Sequence, residues 1–161
     1  MTTSGVIEAL EAALPGRVTR DASSAALTTY RCGGGFAALV RVDDDDDFRR
    51  VAGALGGTDV EVLVVGRGSN LLVADTGFDG IAVTLGGTFE QLDVDDRAAH
   101  VVAGGAVALP VLARRVTAAG LGGLEFFVGI PGSVGGAVSM NAGGHGRDTK
   151  DVLLHARGVI I

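Results

Sequence analysis

Apolar residues near the N-terminus, Val6, Ile7, Leu10 and Leu14, recur at helical spacing, with Thr3 or Ser4 placed to cap the start and Pro15 and Gly16 to close it. The pattern predicts a short opening helix. Residues 36–42, FAALVRV, read as a strand. Residues 46–55, DDFRRVAGAL, put Phe48, Val51, Ala52 and Leu55 on one helical stripe, and residues 60–65, VEVLVV, read as a second strand. Strand, helix and strand in that order predict a βαβ unit, and the apolar run 60–65 predicts a strand buried within a parallel sheet. IAVTL, residues 81–85, can return to the same sheet.

Beyond residue 86 the pattern changes. EQLDV and HVVAGG flank Asp95, Asp96 and Arg97 as the arms of a hairpin flank a turn. A helix is expected to start near Pro110, where proline is tolerated, and to end at Gly120. DVLLHARGVII, residues 151–161, reads as strand material running to the end of the chain. The expected fold class is α+β, with one subdomain over residues 1–85 and a second, antiparallel and incomplete, over 86–161.

Composition narrows the function classes. With 19 acidic against 13 basic residues among 161, a net charge of −6, the chain lacks the positive field that nucleic acid or an anionic membrane requires. No run approaches membrane-span length, and the N-terminus has no basic stretch followed by an apolar core. The single cysteine, Cys32, excludes an internal disulfide framework and suits a reducing, cytoplasmic compartment. The five aspartates 43–47 lack the spacing of a calcium loop and read as a solvated helix start that favours the macrodipole. His100, His145, His155 and Cys32 show no metal-ligand spacing, and His145 reads as a solvated loop residue.

The 27 glycines, roughly one residue in six against a usual share of about 7 %, gather in loops. GRGSN, residues 66–70, directly follows the strand 60–65. Fanned backbone N–H groups there would make an anion cradle, with Ser69 and Asn70 adding side-chain donors; a plain tight turn is the alternative. It is not a dinucleotide fingerprint, because Leu71 stands where a third glycine or alanine is needed and a strand rather than a helix follows. GGFAA, residues 34–38, meets the spacing formally with Gly33, Gly35 and Ala38 but opens onto a strand. The only lysine, Lys150, excludes a P-loop.

The second loop, GLEFFVGIPGSVGGAVSMNAGGHG, residues 123–146, is too rich in glycine to serve as core packing, since each glycine loses extra backbone entropy on folding. IPGSVGG offers N–H donors and Ser133, while Asn141 with Gly143, Gly144 and Gly146 offers a further bare surface. Ser133 is not a hydrolase nucleophile, because Pro131 occupies the place of a required glycine. It reads as a hydrogen-bond donor or a structural turn residue.

TTYRCGG (28–34), VLVVGRGSNLLVADTGFDG (62–80) and the stretch 123–146 together resemble the N-terminal part of the UDP-N-acetylenolpyruvoylglucosamine reductase family, MurB, in the same order along the chain. The resemblance implies a two-subdomain FAD-binding fold of the vanillyl-alcohol-oxidase type, also called PCMH, truncated in the second subdomain. It implies noncovalently bound FAD, its pyrophosphate cradled by Gly66, Arg67, Gly68, Ser69, Asn70 and Leu71. Gly129, Ile130, Pro131, Gly132, Ser133, Gly135, Gly136 and Ala137 would lie along the flavin with amides aimed at its polar edge, and Asn141, Gly143 and Gly146 would line the same cleft. NADPH is the implied hydride donor, a UDP-sugar enolpyruvyl ether the substrate, and peptidoglycan synthesis the setting. The family's catalytic arginine, serine and glutamate lie outside the matched region, and part of its substrate site belongs to a further domain; no catalytic residue is expected in this chain.

Cys32 stands where the family has an aliphatic residue, Gly35 where proline is common, and Arg67 where glycine is frequent. Arg67 adds a cation beside the pyrophosphate. Two other readings remain: a stand-alone flavin-binding module completed by another chain, and a related oxidoreductase that tethers flavin covalently through Cys32 or His145.

Overall fold

The computed structural model describes residues 1–159. The chain divides into two compact units, one built from Met1–Gly87 and the other from Thr88–Arg157.

The first unit opens with helix α1 (Thr3–Ala13), whose cap is Thr2, just before the expected Thr3 or Ser4: its side chain accepts from the Gly5 amide at 3.4 Å. Strand β1 (Val18–Ser23) follows, then β2 (Gly35–Val42), helix α2 (Asp45–Leu55), β3 (Val62–Val65) and β4 (Phe78–Leu85). They form one mixed sheet in the order β1-β2-β4-β3, with β1 antiparallel to β2 and the other two pairings parallel. β4 is an interior strand, parallel to its neighbours β2 and β3, with Gly80 through Val83 buried. The expectation that the apolar run at 60–65 is an interior strand is therefore corrected. β3 lies at the edge and Val64 is 56 % exposed, because apolar composition does not fix a strand's place in the order. β1 escapes sequence reading for the opposite reason: only Ala22 in VTRDAS is buried.

Sheet alternation divides the core. Phe36, Val65, Val73, Ala22 and Ala82 form one buried cluster, with Leu27, Leu39, Leu63, Leu71 and Phe78 packed against it. Phe36 and Phe78 meet edge to face at 6.3 Å. α1 and α2 pack on each other and touch β4 and β2 respectively, with Leu10, Leu14, Val51 and Leu55 buried.

The aspartate run also departs from expectation. Asp44 caps α2 by accepting from the Asp47 amide at 2.9 Å, as its helix-start position requires. Asp47 is not solvated: it is 3 % exposed, pairs with Arg17 and accepts from the Asp43 amide at 2.9 Å. A carboxylate is tolerated there because it is paired and hydrogen-bonded.

The second unit contains the hairpin β5 (Leu92–Asp95) and β6 (His100–Ala103), antiparallel as its pattern indicates. Asp95 Oδ1 closes the turn by accepting from the amides of Arg97 and Ala98, both at 3.0 Å. Helix α3 (Leu109–Ala118) carries Pro110 in its first turn. It ends with Gly120 at φ +80°, the Gly120 amide on the Thr117 carbonyl and the Leu121 amide on the Val116 carbonyl, which is a Schellman stop. A turn of 3-10 helix at Glu125–Gly129, helix α4 (Val134–Met140) and a minimal hairpin of β7 (Gly143–Gly144) and β8 (Arg147–Asp148) complete it. Its core is Val107, Leu109, Leu112, Ala113, Val116, Phe126, Phe127 and Ala137. The strand expected over 151–161 is not formed across the described part: Thr149–Asp151 is a 3-10 turn and 152–159 pair with no strand. Apolar alternation makes a strand only where a neighbouring backbone supplies the ladder. Residues 160 and 161 lie outside the described residues.

Candidate functional site

The loop 66–70 leaves the C-terminal end of β3 and is held by the segment before β2. The Thr29 amide donates to the Gly68 carbonyl at 3.1 Å, and further along the Gly34 amide donates to the Ala74 carbonyl at 2.9 Å. Gly68 has φ +62°, and a Cβ there would collide with the Leu27 carbonyl oxygen and lie 2.9 Å from Thr28 Cα. Glycine at 68 is thus demanded by the protein's own packing. The amides of Arg67, Gly68 and Ser69 have no acceptor among the described residues, although Gly68 is buried and Ser69 half-buried. Buried amides are nearly always paired in proteins, so the open donor of buried Gly68 is unusual, and with its two neighbours it presents three consecutive donors on a fixed turn. The Arg67 guanidinium, exposed and without an ion-pair partner among the described residues, is on the same turn. Leu71 is half-buried against the Phe36 cluster.

The segment 129–137 behaves differently. Its amides were expected to point outward, but most are used internally: Ile130 on Phe127, Gly132 on Ile130, Val134 on Val107, Gly135 on Gly105 at 2.8 Å, and Ala137 on Ser133. Ser133 is 3 % exposed and is the cap of α4, its Oγ accepting from the Gly136 amide at 3.4 Å. It is therefore a turn residue that accepts rather than a free donor, and the N–H fan expected of IPGSVGG is corrected. What this segment leaves open is bare surface. A Cβ on Gly129 would touch nothing within 4 Å, and no positive φ requires glycine there. Pro131 is exposed beside it.

Two predicted glycines and Asn141 have structural duties. His145 and Gly146, with φ of +57° and +80°, make the two-residue turn between β7 and β8. A Cβ on Gly143 would lie 2.5 Å from the Arg147 carbonyl oxygen, whereas Gly144 is open. Asn141, left-handed at φ +48°, ends α4; its Nδ2 donates to Asp148 Oδ2 at 3.0 Å and its Oδ1 accepts from the Lys150 amide at 2.9 Å. Lys150 Nζ lies 2.9 Å from the same Asp148 oxygen, and these contacts, the lysine's first, hold the Asp148 carboxyl below its ordinary range against partial desolvation. Asn141 is a staple between α4 and the hairpin.

Among the other titratable groups, His100 and His155 stack with ring centres 6.3 Å apart, and no third metal-ligating side chain joins them among the described residues. Cys32 is exposed. No helix of the described residues is long and apolar enough to cross a membrane. The residue that sequence reading missed is Thr28. It is 7 % exposed, its Oγ1 is buried without a hydrogen-bond partner, and it lies directly behind Gly68.

A turn of open amide donors after a parallel strand and bare backbone in the second unit do not by themselves name a ligand. Comparison with known proteins decides the family, because residues 36–160 match the family described as FAD binding domain. The chain belongs to that FAD binding domain family. It is 44% identical over 99% of its length to UDP-N-acetylenolpyruvoylglucosamine reductase of Methylorubrum extorquens (strain PA1), and 40% identical over 94% of its length to the enzyme of that name from Bacillus subtilis (strain 168). It covers 52% and 49% of those two proteins, so it spans about half the length of the curated relatives it matches. The crystal structure of the reductase MurB from Thermus caldophilus superposes with a TM-score of 0.67 at 35% identity, over 82% of this chain and 45% of that one. The α+β architecture is that of this FAD binding domain family, with the two units each carrying one of the glycine loops.

Proposed function

We propose that this chain is the FAD-holding portion of a UDP-N-acetylenolpyruvoylglucosamine reductase acting in cytoplasmic peptidoglycan synthesis. The observation that carries the reading is the run of open amides at Arg67, Gly68 and Ser69, on a turn whose shape the protein enforces at Gly68. The FAD binding domain match and the 40–44% identical reductases support it.

The residues fit the group. Gly66 to Leu71 would hold the diphosphate, with Arg67 supplying charge-assisted contact. The open faces of Gly129 and Gly144 leave room for a flat ring system, which a side chain would obstruct. Ile130, Pro131, Gly132, Ser133, Gly135, Gly136 and Ala137 shape that surface, with Ser133 fixing the turn from beneath. Asn141, Gly143 and Gly146 act one step removed, by locking the hairpin that bears Gly144. When bound, FAD supplies a hydride relay from NADPH to the enolpyruvyl double bond of the UDP-sugar. This chain's part is to bind and orient; proton delivery to the substrate is assigned to residues outside it.

The test is the visible spectrum of the purified protein, before and after acid precipitation. Yellow protein whose colour passes into the acid supernatant supports noncovalent FAD, and anaerobic NADPH then tests the first half-reaction by bleaching. Protein that stays colourless and takes up no added FAD overturns the reading; colour retained in the acid pellet overturns its noncovalent form.

A further inference from the structure

The segment before β2 contributes more than support to the turn at 66–70. Thr28, 7 % exposed, carries a buried hydroxyl with no partner, an arrangement that costs stability unless something accepts its proton. It sits against Gly68, a buried residue whose amide likewise has no acceptor among the described residues. Three residues on, Arg31 is exposed at φ +54° and its guanidinium has no ion-pair partner among the described residues. Its backbone is fixed by donation to the Thr28 carbonyl at 3.3 Å, and the Thr29 amide ties the segment to Gly68. In a chain of net charge −6 whose other arginines in this unit, Arg67 apart, have carboxylate partners, unpaired cations on two adjoining turns are a local reversal of sign.

We propose that residues 27–31 form a second wall of the anion site, in which the Thr28 hydroxyl donates to the diphosphate and Arg31 pairs with it from the side opposite Arg67. This rests on the flavin reading and adds to it two binding residues, Thr28 and Arg31. Two walls match a group bearing charge on two phosphates, so the site selects a dinucleotide diphosphate over a monophosphate such as FMN.

The test measures FAD and FMN affinity, by quenching of flavin fluorescence, and thermal stability without ligand, for the unaltered chain, Thr28→Val, Thr28→Ser, Arg31→Gln and the charge control Arg97→Gln. Arg97 lies in the hairpin turn of the other unit. Thr28→Val is expected to melt no lower than the unaltered protein, since it removes an unpaired hydroxyl, yet to bind FAD about tenfold more weakly. Thr28→Ser should retain FAD. Arg31→Gln should weaken FAD binding to a similar extent, flatten its salt dependence and narrow the preference over FMN, while Arg97→Gln does none of these.

Equal FAD affinity in Thr28→Val, Arg31→Gln and the unaltered chain overturns the second wall and leaves the flavin reading standing. An unaltered chain that takes up no FAD overturns that reading itself, and the second wall with it. A Thr28→Val protein that loses stability and FAD together refutes the hydroxyl's role, and Arg31→Gln then decides the wall.

Discussion

Gly68 and Leu27 are mutually exclusive with any side chain between them: a Cβ on the glycine would run into the leucine's carbonyl oxygen, across a gap of some forty positions in sequence. Gly68 also has φ +62°. Gly68→Ala is therefore expected to destabilise the protein by about 2 kcal/mol or more, from left-handed strain plus the collision. Urea unfolding at constant m-value is the measurement; an unchanged midpoint would refute the packing argument.

Gly129 makes the opposite case. With open space around it and no positive φ, Gly129→Ala should leave unfolding within about 0.5 kcal/mol of the parent. Under the proposed function it should still weaken FAD uptake. Titration of FAD into both variants separates a glycine kept for folding from one kept for a ligand.

Ser133 is a test of the corrected role. If its Oγ serves as the cap of α4, Ser133→Ala should cost about 1 kcal/mol and Ser133→Gly only a few tenths, because glycine tolerates the cap backbone. Thermal melts of the two variants without ligand give the ordering. A larger loss for glycine would argue against capping.

The buried carboxylate of Asp47 predicts a polarity contrast within one unit. Arg17→Ala leaves Asp47 buried and short of its partner and should cost about 1–2 kcal/mol, allowing for the guanidinium's partial exposure. Arg20→Ala, which removes an exposed pair to Glu11, should not measurably change the denaturation midpoint. Similar losses in both would refute the distinction.

The pH dependence follows from Asp148. Its carboxyl titrates lower in the folded chain than in the unfolded one, because Lys150 first, and then Asn141, bond its charged form. The stability it contributes is thus complete above the unfolded carboxylate value of about 3.9 and is lost as pH falls through the lower folded value. The protection factor of the Thr149 amide, which donates to the Ala142 carbonyl, should fall over that acidic window, and less so in Asp148→Asn. A protection factor unchanged down to pH 2 would exclude the linkage.

Sequence reading reached α1, α2 and α3 because their caps and stops are local, and missed α4, which lies inside the glycine-rich stretch. Pro110 and Gly120 bracket α3 within its own turns, and the aspartates bracket the start of α2. It misplaced β3 because strand order depends on β4, which arrives later in the chain and takes the interior place beside β2. At the site, the turn 66–70 stood out by composition, but composition could not separate glycines serving the chain from those left bare. Gly143 and Gly146 have reasons inside their hairpin, whereas Gly129 and Gly144 do not. Nor does a sequence reveal which donors are already used, so the outward amides expected at 130–137 are committed to Phe127, Val107 and Gly105. Thr28 was visible only as part of a motif; its significance lies in a hydroxyl that folding buries and leaves unpaired.

The placement of β4 between β2 and β3 also orders events as the protein is made. Synthesis delivers both flanking strands before Phe78–Leu85, the one segment whose backbone joins them in parallel. Until that segment has left the ribosome, β3 has no partner, β2 can pair only with β1, and the turn at 66–70 stands on an unanchored strand. An emerging chain of this kind exposes two sticky edges for several seconds at ordinary translation rates of about 5–20 residues per second. Completion of β4 closes them together and sets the turn in place as the same event.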